Sequence, residues 1–213
     1  MSAIIEYLRS FNRKERFFLV GTALGNPDFR LDSAFSQQLG GTFALEVPSD
    51  VFVAMDYHLD WIYVSAYLSQ EGVDASGTHP NTTGIVSGNQ EGVDLIVAFD
   101  ASETTHVIML EAKAETAWSN RQADSKIERL TAIFGTEGDD FPQLRPHFGL
   151  MSPRPPRQLM TDRWPSWMRS PGDAPLWMEL VVPPGRRKLT RCDVSGKRGQ
   201  DGGYFKVQST DGN

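Results

Sequence analysis

Cysteine is almost missing from this chain: Cys192 is the only one in 213 residues. No internal disulfide can form, and nothing calls for an oxidising compartment. Histidine is scarce too, at positions 58, 79, 106 and 147, and no Cys/His pair has zinc-site spacing. No apolar run approaches the roughly 18 residues of a membrane span. The opening Met1-Ser2-Ala3-Ile4-Ile5-Glu6 lacks the basic and apolar regions of a signal peptide. There is no Gly-Lys-Ser/Thr phosphate loop and no dinucleotide fingerprint. Together these absences lead to the expectation of a cytoplasmic protein with no membrane partner. Any metal it uses should be a hard cation held by carboxylates.

The formal net charge of −6 argues at first against a polyanionic partner. The average hides an asymmetry. Residues 1–144 hold 9 Lys+Arg against 21 Asp+Glu, whereas residues 145–198 hold 11 against 4. A chain built this way can present one anion-facing side, although a solvated basic surface would read the same.

Along the chain, residues 3–18 have helical spacing through Ile4, Ile5, Leu8 and Phe11. A second helix is expected from Asp32 or Ser33 to Leu39, stopped by Gly40-Gly41, and a short strand over 43–47. A longer helix is expected over 51–69, with Met55, Leu59, Ile62, Tyr63 and Ala66 on one face. Residues 72–90 read as a loop. Strands are expected over 93–99 and 106–113, then a helix over 120–134 with Ala123, Ile127, Leu130 and Phe134 as its buried stripe. Residues 136–175 look Pro-rich and irregular, and strands over 176–182, 188–194 and 204–208 close the chain. The whole of 1–213 reads as one α/β domain whose part from about 145 is basic, Pro-rich and strand-rich.

The chemistry concentrates in the central hairpin. Val107-Ile108-Met109-Leu110 is apolar at every position, as a strand buried on both faces must be. Glu111 and Lys113 follow it on one side of the strand. Ions at the rim of a core are costly unless they are paired or bind something. If the hairpin is centred between Ser102 and Glu103, paired residue numbers sum to 205, and Asp94 faces Glu111. Opposed Cβ atoms lie about 5 Å apart. Two carboxylates that close repel unless one is protonated or a cation lies between them. A divalent metal would suit that geometry, with the Ala112 carbonyl as a further ligand.

A Glu-Ala-Lys strand, with an Asp 17 residues before its Glu on the preceding strand, resembles the PD-(D/E)xK phosphodiesterase superfamily, the restriction-endonuclease-like nucleases. Restriction enzymes, repair nucleases, exonucleases and junction resolvases belong to it. The resemblance covers roughly residues 91–126, and Val93 stands where a proline would precede the Asp. It implies a restriction-endonuclease-like core, a central mixed β-sheet flanked by helices. It also implies a Mg²⁺-dependent nuclease (Mn²⁺ substituting) acting on DNA in restriction, defence or repair. A homodimer or a larger defence or repair complex is left open. Asp94 and Glu111 then match the metal-binding acids and Lys113 the family's lysine. The following helix often turns a further polar residue toward the site, and Gln122 or Lys126 fits.

Each assignment has a plainer rival. Asp94, Glu111 and Lys113 could be a structural ion-pair network at a sheet edge. A nuclease-fold module that binds nucleic acid without cutting it is a second rival. Ser119 and Gln122 could form a helix capping box, and Lys126 could be a solvated lysine. A further metal-binding acid is expected among Asp60, Asp56, Glu91 and Glu46, with Asp60 foremost because it adjoins Trp61 and a buried stripe. Asp56 and Asp60 would share a helical face. Arg186, Arg187, Lys188, Arg191, Lys197 and Arg198 form a candidate backbone clamp for nucleic acid. Trp164, Trp167 and Trp177 are more naturally packing residues than base-stacking ones.

Overall fold

A computed structural model describes residues 1–11, 14–88, 91–114, 118–199 and 202–209. Its centre is a five-stranded mixed sheet in the order β1-β2-β3-β4-β5, formed by Phe52–His58, Gly92–Ala101, Thr104–Ala112, Leu144–Ser152 and Trp177–Glu179. The first three strands run antiparallel, and β4 and β5 continue parallel to β3. A parallel neighbour requires a crossover, which helix α5, Asn120–Phe134, supplies between β3 and β4. The remaining helices are α1 (Ala3–Ser10), α2 (Glu15–Leu24), α3 (Ser33–Phe43) and α4 (Leu59–Glu71). Strands β6 (Arg187–Cys192) and β7 (Tyr204–Ser209) form a separate antiparallel ribbon. No helix among the described residues is long and apolar enough to cross a membrane.

Both faces of the sheet are covered. Ile96, Ala98, Val107 and Met109 pack with residues of α1, α4 and α5, while Val97, Phe99, Ile108 and Leu110 pack with Leu39 and Phe43 of α3. This alternation is the period of a strand with no solvent face. Helix α5 buries Ala123, Ile127, Leu130, Ile133 and Phe134, the expected stripe and one residue more. Full burial of an aliphatic or aromatic side chain of this size contributes about 1.5–3 kcal/mol, so α5 is held firmly beneath the end of β3.

The hairpin register is the expected one. Phe99 pairs with His106, and the remaining pairs also sum to 205. The strands are longer than expected and the turn shorter, just Ser102-Glu103, with Ser102 in the left-handed region at φ 56°.

Elsewhere the expectations need correction. The helix expected over 51–69 is a strand followed by a helix. Val51, Phe52 and Val53 are β-branched or aromatic and fit a pleated buried surface, and β1 pairs along β2 from Phe52–Ala98 to His58–Gly92. Asp56 and Asp60 therefore do not share a helical face; Asp56 lies on β1 with φ 50° and pairs with Arg16 at 2.8 Å. The strand expected over 43–47 is absent. Gly40 and Gly41 do not stop α3; a Cβ on Gly40 would lie 2.7 Å from the Leu45 carbonyl oxygen, so glycine is what lets the chain fold back closely there. The 3–18 helix is two helices, and residues 12 and 13 lie outside the described ones. The segment expected to be irregular contains β4, a central strand of the sheet.

Candidate functional site

The backbone ladder between β2 and β3 ends at Leu95–Leu110, one pair short of Asp94 and Glu111. Beyond that point the Ala112 N–H donates to the Asp94 carboxylate, at 2.7 Å from Oδ2. The aspartate thus takes the place of a strand carbonyl, and its charge sits against the end of β3. On the other side, the Lys113 N–H donates to the Met151 carbonyl of β4 at 2.8 Å. The Glu111–Lys113 segment is therefore fixed from both neighbouring strands.

Glu111 continues the Val107–Met109 side of β3 and meets α5. Its Oε1 lies 3.0 Å from the Lys126 ammonium, which is also 3.4 Å from Glu91 Oε1 and donates to the Gly92 carbonyl at 2.5 Å. Burial pushes the Glu111 carboxyl above its ordinary range. The nearby charges of Asp94 and Glu91 push the same way, against the opposing Lys126. Three carboxylates thus share one electrostatic neighbourhood with a single lysine inside it.

Lys113 and Gln122 come together as well. The Lys113 ammonium donates to Gln122 Oε1 at 2.5 Å and lies 4.7 Å from the centre of the Trp118 ring. Ser119 makes no side-chain cap bond at the start of α5, so the capping-box rival for Gln122 is not what forms. Gln122 and Lys126 are one turn apart, which puts both on the helix face toward β3. The solvated reading of Lys126 is corrected by its ion pairs. Its only sequence signal was the i, i+4 spacing from Gln122.

Asp60 is placed elsewhere. Its Oδ2 accepts the N–H groups of Ser87 (3.1 Å) and Gly88 (2.8 Å), and its Oδ1 pairs with Arg129, which also donates to the Ile85 carbonyl. Both oxygens are committed to clamping the 85–88 segment onto α4 and α5. The further acid that reaches Glu111 is Glu91. Among the described residues no group of three or more His, Cys, Asp and Glu side chains has metal-binding geometry.

The basic candidates lie on and around the ribbon. Arg187, Lys188 and Arg191 belong to β6, Arg186 precedes it, and Lys197 and Arg198 lie in the connection to β7. The Arg191 Nε donates to the Gly202 carbonyl at 2.7 Å and the Arg186 Nε to the Pro183 carbonyl at 3.1 Å. Trp164 is buried near Phe148, and Trp167 packs edge-on against Phe134, as packing residues do. Comparison with protein-family models, curated proteins and solved structures returned no match.

One consequence of the Glu111 environment is measurable. A carboxyl whose folded pKa lies above its unfolded value favours the folded state at acidic pH, and that advantage is lost as pH rises through the folded value. At neutral pH the ionised Glu111 therefore costs stability in metal-free protein. Glu111→Gln should raise the Tm in EDTA, by about 2–4 °C for each kcal/mol relieved in a chain of this size. The gain should fade as pH falls from the raised folded value toward the ordinary 4.5, and be absent below it. Thermal melts at pH 7.5 and pH 4 read both effects. A Glu111→Gln protein less stable than wild type at pH 7.5 would show that the Lys126 pair outweighs burial.

Proposed function

We propose that the chain is a metal-dependent nuclease that hydrolyses phosphodiester bonds, with DNA as its substrate. The observation that carries this reading is the convergence, at one end of β3, of Asp94, half-buried Glu111 and the Lys113–Gln122 pair. The arrangement of three antiparallel strands, a crossover helix and a parallel fourth strand supports a restriction-endonuclease-like core.

A divalent cation fits this donor set. Asp94 and Glu111 are adjacent carboxylates whose mutual repulsion helps raise the Glu111 pKa, and a hard cation relieves that repulsion. Mg²⁺, or Mn²⁺ in its place, would be held by these two carboxylates and the Ala112 carbonyl. When bound, such an ion supplies Lewis acidity at the scissile phosphate and an acidified water. The chain's own groups do the rest. Gln122 holds the Lys113 ammonium in one place, so it can meet charge building on phosphate oxygens without first reorganising. Lys126 balances Glu91 and Glu111 and keeps the carboxylate cluster from expelling a substrate phosphate.

Lys126 also favours a second reading. Its ammonium already supplies a positive charge between Glu91 and Glu111, as it would in a nuclease-fold module that binds nucleic acid but does not cut it. Incubation with plasmid, linear duplex, single-stranded DNA and RNA, with Mg²⁺ or with EDTA, separates the two. Metal-dependent fragmentation of DNA is expected; retention of intact DNA by the protein under every condition would favour the silent module.

A further inference from the structure

The β6–β7 ribbon exposes apolar side chains that a structural hairpin has no reason to expose. Directly opposed residues share a face, and the register pairs Arg187 with Ser209, Leu189 with Val207 and Arg191 with Phe205 on one side. Phe205 is 72% exposed, Leu189 69% and Val207 53%. Two arginines therefore flank a solvent-facing apolar strip that ends in an aromatic ring. Tyr204, next in the chain, projects to the opposite face, which it shares with Lys188 and Lys206, and it too is exposed. Each side of the ribbon thus carries one open ring among cations.

Leaving such a strip in water is unfavourable, and its charge complements a polyanion. Phosphates would account for the arginines and lysines, but they do not account for the rings. Bases do, provided their faces are open. In a duplex the base faces are covered by their neighbours, whereas a single strand offers each base to a ring.

We infer that this ribbon binds single-stranded nucleic acid, with a base stacked on Phe205 and the flanking phosphates met by Arg187 and Arg191. The inference rests on the reading of nucleic acid as the partner. It specifies the substrate as one with an unpaired segment: a single strand, an overhang or a branch.

The test is fluorescence anisotropy in EDTA with dye-labelled oligothymidine and with a mixed-sequence duplex of the same length, across a salt series. Without metal, no cleavage is involved, so a protein that binds but never cuts would overturn the nuclease reading and leave this one standing. Wild type should bind the single strand more tightly than the duplex. Phe205→Ala should weaken single-strand binding about tenfold with little change for the duplex, and Phe205→Trp should restore it. Arg187→Ala with Arg191→Ala should flatten the salt dependence. Because Phe205 is exposed, its variants should melt like wild type, which circular dichroism checks. Three results would overturn the inference: Phe205→Ala binding oligothymidine as tightly as wild type, Phe205→Ala weakening both ligands equally, or a wild-type dimer in sedimentation that Phe205→Ala converts to monomer. The last would make the strip an interface between copies of the chain.

Discussion

Lys113→Ala should cleave DNA about a hundred- to a thousandfold more slowly than wild type while binding it almost as tightly. The magnitude is that of removing one preorganised donor aimed at developing charge. The asymmetry between rate and affinity follows because only interactions stronger in the transition state than in the ground state accelerate the chemical step. Lys113 is suited to this by its surroundings: Gln122 holds its ammonium at 2.5 Å, and the Trp118 ring lies 4.7 Å away. Gln122→Ala should give a smaller loss, since the lysine would keep its charge and lose only its fixed position. Single-turnover cleavage and anisotropy in EDTA, run on the same variants, measure the two quantities. A Lys113→Ala protein that loses affinity and rate in equal proportion would make this lysine a binding group.

Acid should destabilise the protein through a second pair of side chains, remote from this chemistry in role. His106 on β3 and His147 on β4 meet diagonally across the two strands, where their register partners are Arg145 and Ile108, with His106 Nδ1 and His147 Nε2 2.9 Å apart. Phe99 stacks on His106, and Phe43 meets the His147 ring edge-on. Burial, helped by the charge of His106, holds the His147 imidazole down at about 4 from an ordinary 6.5. His106 is lowered too, by burial and by Arg145. The unfolded chain takes up a proton near 6.5, and the folded chain resists until about 4. Stability is therefore lost as pH falls through that window and is unaffected above it. At about 1.4 kcal/mol for each pH unit, His147 alone accounts for about 3 kcal/mol, or a Tm fall of roughly 6–12 °C. Melting curves of wild type and His147→Asn at pH 7.5 and pH 4.5 test this. Wild type should lose more Tm than the variant between the two; equal losses would show that the acid sensitivity comes from other groups.

The site was legible in the sequence wherever one physical rule decided the placement. Val107–Leu110 could only be a strand buried on both faces, and the polar stretch after Phe99 had to contain the turn, which closes at its middle, Ser102-Glu103. The register that brings Asp94 to Glu111 followed from those two facts. Helix α5 was legible because Ala123, Ile127, Leu130 and Phe134 keep helical spacing along its whole length, and all four are buried. The failures occurred where two rules competed. Met55, Leu59, Ile62 and Ala66 keep helical spacing across a boundary between β1 and α4, and nothing local marks His58 as the end of a strand. In β4, Pro146 and Gly149 look like breakers, yet β4 pairs with β3 from Leu144 to Met151. Partners across the fold were the least legible. Whether an acid meets a metal, a lysine or a backbone N–H depends on which segment folds onto it. Asp60 went to Arg129 and the 87–88 backbone, and Glu91 and Lys126 came to Glu111 instead.

In the proposed function, Asp94 and Glu111 hold a divalent cation that enables phosphodiester hydrolysis. The most direct measurement is the rate at which end-labelled DNA carrying a single-stranded overhang is cut in millimolar Mg²⁺, for wild type and for Asp94→Asn. Wild type should cut the DNA, EDTA should stop it, and Asp94→Asn should be slower by at least about a hundredfold, with Mn²⁺ able to replace Mg²⁺ for wild type. A wild-type protein that cuts no faster than Asp94→Asn in either metal would contradict the claim.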